Sequence, residues 1–204
     1  MTPTEKIRSR LSSLPPLRSG IQPTSNGLKL VEKASYRELL LGCGSNKTKQ
    51  IYQEPEGPEW KNLTTLDMDP EVKPNVLHDL NDLAYPFVDS TFDEIHAYNV
   101  LEHQGSLGNY KFFFAQWNEI GRILKPGGRF FGIVPALSSF WLFGDPGHCR
   151  VLTPQMLQFL DRDFYHCGET QSDGYAELLK VSFKVIFLEN GSEFLAFILK
   201  KDPE

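Results

Sequence analysis

The chain has 204 residues, a formal net charge of -5, a pI near 5.6 and an ordinary balance of 40% hydrophobic and 23% charged residues, which suits one domain and excludes collagen, pervasive disorder and a coiled coil. The acidic balance argues against broad electrostatic capture of nucleic acid or an anionic membrane, and neither a run of roughly 18 apolar residues nor the apolar centre of a signal peptide is present. Three widely spaced cysteines, Cys43, Cys149 and Cys167, form no metal-ligand pattern and read as reduced thiols of a soluble cytoplasmic protein acting on small or neutral substrates.

Thr2, Pro3, Thr4 and Glu5 form a capping box with proline at the first helical position, and Ile7, Leu11 and Leu14 follow at helical spacing. A short amphipathic helix is expected, followed over 15–33 by a Pro-, Ser- and Gly-rich flexible arm. The apolar run 36–41 then breaks into Gly42, Cys43 and Gly44. That is the pattern of a buried strand ending in a loop whose backbone must turn tightly or approach a ligand closely.

Residues 47–62 are polar and interrupted by Pro55 and Pro58, so no long helix is expected there. A second strand, 63–66, runs into Asp67, Met68 and Asp69, with Asp67 placed 23 positions after Gly44. Nucleotide sites of α/β folds place a ribose-binding acid at a similar offset, because a carboxylate can accept two hydroxyl hydrogen bonds at once. The short connection over 70–74 leads to a third strand, 75–78, and Asp79. A parallel partner reached so quickly has to be brief and lie at the sheet edge, or the strand lies elsewhere.

Alternation predicts a fourth strand over 92–98, with Asp93 and Glu94 at its entrance, leading into Asn99, Glu102 and His103. From there Tyr110, Phe113, Phe114, Trp117, Ile120 and Leu124 define one helical face, with Lys111, Gln116, Glu119 and Arg122 elsewhere. A fifth strand follows over 129–134. The apolar loop 136–150, which contains Asp145 and His148, is expected to fold over something, and Thr153 caps a helix to about 160. Two apolar runs, 181–188 and 193–199, flank a turn containing Asn190 and Gly191, a hairpin signal.

Taken in order, LLLGCGSN, LDMD, HDLNDLAYPFVDSTFDEIHAYNVLEH, EIGRILKPGGRFFGIVP and the terminal hairpin resemble the class I S-adenosylmethionine-dependent methyltransferases across about 36–200. The resemblance implies a Rossmann-like α/β fold: a mainly parallel seven-stranded sheet, a C-terminal antiparallel hairpin, and helices on both faces, some abbreviated. With the N-terminal reading, the chain is expected to divide into a helix and flexible arm over 1–33 and a methyltransferase domain over 34–204. Carried over residue by residue, the resemblance places Gly42, Cys43 and Gly44 at the methionine part of S-adenosyl-L-methionine. Asp67 falls at the ribose, Met68 beside the adenine, Asp79 and Leu80 at the adenine edge, and Asn99 where methyl and substrate meet. Leu40 stands where many members carry an acid, so the usual partner of the cofactor's ammonium must be replaced. DPGHCRVLTP is similar to a substrate-side segment of members that act on sugars or polysaccharide ends.

Methyl transfer from a sulfonium is an in-line displacement that gains most from alignment and exclusion of water. A hydroxyl acceptor also benefits from a base, for which His148 and His103 are the candidates, with Asp145 able to orient one of them. Glu102 and His103 offer two ligands to a divalent metal, too few to assign a site. A nicotinamide dehydrogenase would need its third fingerprint glycine at Lys47. AYNVLE lacks both the Asn/Asp-Pro-Pro-aromatic element of DNA adenine methyltransferases and a Pro-Cys nucleophile. The expectation is therefore methyl transfer to a small-molecule or sugar acceptor, at oxygen. The alternative is a non-catalytic cofactor-binding or partner subunit with the same fold.

Overall fold

Alternating burial along the strands sorts the apolar side chains onto two faces of one sheet. The computed structural model describes residues 35–166 and 173–203, so the expected N-terminal helix and arm, and Cys167, lie outside the described residues. Seven strands, β1 (Glu38–Leu41), β2 (Leu63–Asp67), β3 (Val76–Leu77), β4 (Phe92–Tyr98), β5 (Leu124–Pro135), β6 (Phe183–Asn190) and β7 (Phe194–Lys201), lie in the order β3-β2-β1-β4-β5-β7-β6. The first five strands pair in parallel, and β7 runs antiparallel to both β5 and β6. The expected mainly parallel sheet with a terminal hairpin is thus present. The third strand is indeed brief and at an edge.

Chain direction across the sheet reverses between β1 and β4, which makes the carboxyl ends of those two strands a topological switch point, the usual ligand crevice of open α/β sheets. Helix α1 (Tyr110–Ile123) begins at Asn109, whose side chain accepts from the Phe112 N–H. Its Phe113, Phe114, Trp117, Ile120 and Ile123 pack on one sheet face with Leu39, Leu41, Ile95, Phe130 and Phe197. Two residues of this helix depart from the sequence pattern. Tyr110 is largely exposed, whereas Gln116 is fully buried, because it donates to Gln104 at 2.8 Å and accepts from Arg150 at 2.8 Å. The short helices α2 (Trp141–Gly144), α3 (Pro154–Gln158) and α4 (Arg162–His166) follow β5.

The second face carries no α-helix among the described residues: irregular chain and a single 3-10 turn, Pro70–Val72, take the place of the expected helices. Ile51, Trp60 and Val72 cover Leu40, Tyr98, Phe131 and Ile198. That irregular chain is fixed by polar bonds. Trp60 Nε1 donates to the Lys47 carbonyl at 2.6 Å, and Lys47 Nζ donates to the Val72 carbonyl at 2.9 Å. Lys49 is buried between Glu38 at 2.7 Å and Glu94 at 3.0 Å, and Arg129 meets Glu94 at 2.8 Å. Glu94 is therefore an interior residue of β4, not the polar entrance that the sequence suggests. Among the described residues no helix is long and apolar enough to cross a membrane.

Candidate active site

All the loops that leave the carboxyl ends of the parallel strands converge on one edge of the sheet. After β1 the chain turns through Gly42 (φ 57°) and Gly44 (φ 49°), both in the left-handed region that favours glycine. A side chain at Gly42 would overlap Val100, while the space beside Gly44 is open. The Asp67 carboxylate accepts from the Gly44 N–H at 2.8 Å and the Asp69 N–H at 3.0 Å. Those two bonds leave about half of a carboxylate's acceptor sites for other partners. Asp79 turns its own chain by accepting from the Asn81 N–H at 2.9 Å and its amide at 3.0 Å.

These residues line a groove of about 310 Å³ formed by Gly42, Gly44, Asp67, Met68, Asp79, Leu80, Asn99 and their neighbours. The structure thus brings together every expected cofactor residue except Cys43. Its side chain is buried against the second sheet face, its N–H donates to the Leu66 carbonyl at 3.1 Å, and burial raises its thiol pKa. The loop's N–H groups at 43 and 44 are therefore already engaged by protein. Leu40 is buried in the same core, and among the groove-lining residues Asp67 and Asp79 are the acids. His78, Asn81, Val100 and Gln104 also line the groove; their positions beside Asp79, Asn99 and His103 were the available sequence signal.

A second cavity of about 370 Å³ adjoins the groove, and Asn99 and His103 line both. Asn99 holds a left-handed φ of 50°, uncommon for a non-glycine residue and typical of functional loops. The cavity is further lined by Gln50, Glu102, Ser139, Trp141, Asp145, His148 and Glu193. Glu193 comes from the hairpin turn and Gln50 from the irregular chain after β1, placements that no local pattern reveals. The apolar loop after β5 behaves unlike its sequence reading: Leu142 is buried, but Phe140 and Phe143 project outward and Trp141 stands at the cavity rim.

His103, Asp145 and His148 do come together. The two imidazole rings meet edge to face at 4.7 Å, and His148 Nε2 lies 3.8 Å from Asp145 Oδ2 and 3.9 Å from Glu102 Oε1. The Glu102 carbonyl accepts from the Cys149 and Arg150 N–H groups at 2.9 and 3.1 Å, which locks the His148 segment to the turn after β4. Burial pushes the Glu102 carboxyl up to about 7 because the charged form loses solvation.

Residues 39–132 match the family model described as a methyltransferase domain. No curated protein sequence matches the chain. Solved structures of the same fold include an S-adenosylmethionine-dependent methyltransferase from Archaeoglobus fulgidus, at 18% identity and a TM-score of 0.55, with 83% of this chain and 87% of that one covered. A complex of the Haloferax volcanii Trm112 methyltransferase activator with its methyltransferase is similar at 15% identity and a TM-score of 0.54, with 86% and 85% covered. The methyltransferase CalH, in complex with S-adenosylhomocysteine, is similar at 14% identity and a TM-score of 0.51, with 83% and 52% covered.

Proposed function

We propose that the chain, whose residues 39–132 match a methyltransferase domain and which shares the fold of S-adenosylmethionine-dependent methyltransferases, is a class I member that methylates an oxygen of a small hydroxyl-bearing acceptor, such as a sugar. The observation that carries this reading is the pair of adjoining cavities with Asn99 and His103 as their common wall. The first cavity fits the cofactor. It has two glycines in left-handed turns, open space beside Gly44 and a carboxylate, Asp67, with acceptor capacity to spare.

In this reading Asp67 holds the ribose hydroxyls, and Asp79 with Leu80 and Met68 frames the adenine. S-adenosylmethionine, when bound, supplies a methyl group on a sulfonium, which passes to the acceptor oxygen and leaves S-adenosylhomocysteine. The protein's share is alignment and proton handling. Glu193, Ser139 and Gln50 offer hydrogen bonds to a polyhydroxylated acceptor, and Trp141 offers a ring face at the rim. His103 and His148, with Asp145 beside His148, are the groups able to activate the hydroxyl.

Calorimetric titration with S-adenosylmethionine, followed by an acceptor screen that detects released S-adenosylhomocysteine, tests the proposal. Asp67→Ala should weaken cofactor binding by about 1.5–3 kcal/mol through loss of a charge-assisted acceptor. Absence of binding to the unaltered chain at millimolar cofactor would refute the reading.

A further inference from the structure

Glu102 is 1% exposed, and neither of its carboxylate oxygens has a hydrogen-bond partner among the described residues. A buried carboxylate in that condition calls for a compensating positive group. The nearby Arg150 acts on it through charge alone and makes no hydrogen bond to it: its Nε and Nη2 donate to the Leu101 carbonyl at 3.2 and 2.8 Å, and Nη2 also to Gln116. Two imidazoles face the carboxylate instead, one from the same turn and one from the loop after β5.

Both imidazoles are oriented in the same way. His103 Nδ1 lies 3.1 Å from the Gly147 carbonyl, and His148 Nδ1 lies 3.1 Å from the Leu142 carbonyl. A backbone carbonyl accepts only, so each Nδ1 carries a hydrogen, and in the neutral ring each Nε2 holds the lone pair. Histidines held by a backbone carbonyl at one nitrogen and open at the other are arranged as metal ligands are. Glu102, His103 and His148 each offer a ligand atom, all within 4.8 Å of one another. Ligands of one tetrahedral ion lie about 3.4 Å apart, so small side-chain rotations close the set. Asp145 Oδ2, 3.8 Å from His148 Nε2, stands beside it as a further oxygen donor.

We propose that Glu102, His103 and His148 form a divalent-cation site in the wall of the second cavity. Two imidazoles and a carboxylate suit Mn²⁺, Fe²⁺ or Zn²⁺ better than Mg²⁺ or Ca²⁺, which prefer all-oxygen shells. The site's use in catalysis rests on reading that cavity as the acceptor site: a cation there would polarise the acceptor hydroxyl, and, with both imidazoles holding the ion, the hydroxyl proton would leave to the exposed Asp145 carboxylate or to solvent water. Its existence as a binding site does not depend on that reading.

The test titrates Mn²⁺ into tag-free, chelator-treated full chain, followed by electron paramagnetic resonance, with Zn²⁺ as competitor. One equivalent should bind and be displaced by Zn²⁺, and Glu102→Gln and His148→Ala should each weaken binding at least tenfold, with folding checked by circular dichroism. His103→Ala, at an exposed residue, replaces either variant that fails to fold. Asp67→Ala should bind Mn²⁺ as the unaltered chain does. No saturable binding below millimolar Mn²⁺, or equal affinity in the folded cluster variants, overturns the proposal. Cofactor calorimetry on the same samples separates the two readings. Cation binding without S-adenosylmethionine binding refutes the methyl-transfer reading alone, and the reverse refutes the cation site alone.

Discussion

At the level of single residues, Gly42 and Gly44 share a left-handed backbone but differ in what surrounds them. A Cβ at Gly42 would overlap Val100, and one at Gly44 would enter open space. Gly42→Ala therefore combines backbone strain with overpacking, a loss of about 2–5 kcal/mol. Gly44→Ala carries the strain alone, about 1–2 kcal/mol, and its new methyl projects where the groove is open. Urea unfolding should show the larger loss for Gly42→Ala, whereas calorimetry on folded Gly44→Ala should show weakened cofactor binding. Equal behaviour of the two variants would mean that the loop does not face the cofactor. The glycines themselves were legible in the sequence. The division of labour between them was not, because Val100 reaches Gly42 from the end of another strand.

Among the elements, α1 was the most legible, since its apolar spacing and Asn109 cap are local signals. Trp117 lies fully buried at its centre, with Phe130 and Phe183 at centroid distances of 4.9 and 5.9 Å. Trp117→Ala should cost about 3–5 kcal/mol, read as a lower urea midpoint with no change in slope. A loss under 1 kcal/mol would contradict the packing described. The same helix also shows where periodicity fails: Gln116 occupies a polar position in the pattern, yet it is buried by Arg150 and Gln104. Strand β4 fails in the same way at Glu94, because a charged side chain reads as exposed until its distant partners are known. Candidate site residues at strand ends were readable for the same reason that α1 was. Glu193 and Gln50 were not, since their places depend on how the hairpin and the irregular chain pack.

Across the whole molecule, the polar cluster of Glu38, Lys49, Glu94, His96 and Arg129 ties β1, β4, β5 and the irregular chain together. Burial by itself would raise the Glu94 pKa. The His96 hydrogen bond and the Lys49 and Arg129 charges prevail and hold it well below the carboxylate range. Burial keeps His96 neutral, with its pKa lowered. Both groups bind protons more readily in the unfolded chain, so their contribution is complete above the unfolded values and is lost as pH falls below them. Those values are about 6.5 for the imidazole and about 4.3 for the carboxylate. The urea midpoint should therefore drop from pH 7.5 to 3, first as His96 and then as Glu94 takes up a proton on unfolding, with Glu94→Gln flattening the part below about pH 5. A midpoint constant over that range would show that the cluster does not govern acid stability.

Strand β7 is made after the other six strands, yet it lies inside the sheet, joining β6 to β5. Leu195, Ala196, Phe197, Ile198 and Leu199 on it are all buried. During synthesis, β5 must wait with its outer backbone row unpaired until β7 has left the ribosome. A nascent chain halted before Phe194 would expose that apolar margin to any other strand. Translation speed and chaperone cover over this stretch thus bear on the yield of active protein as directly as its stability does once made.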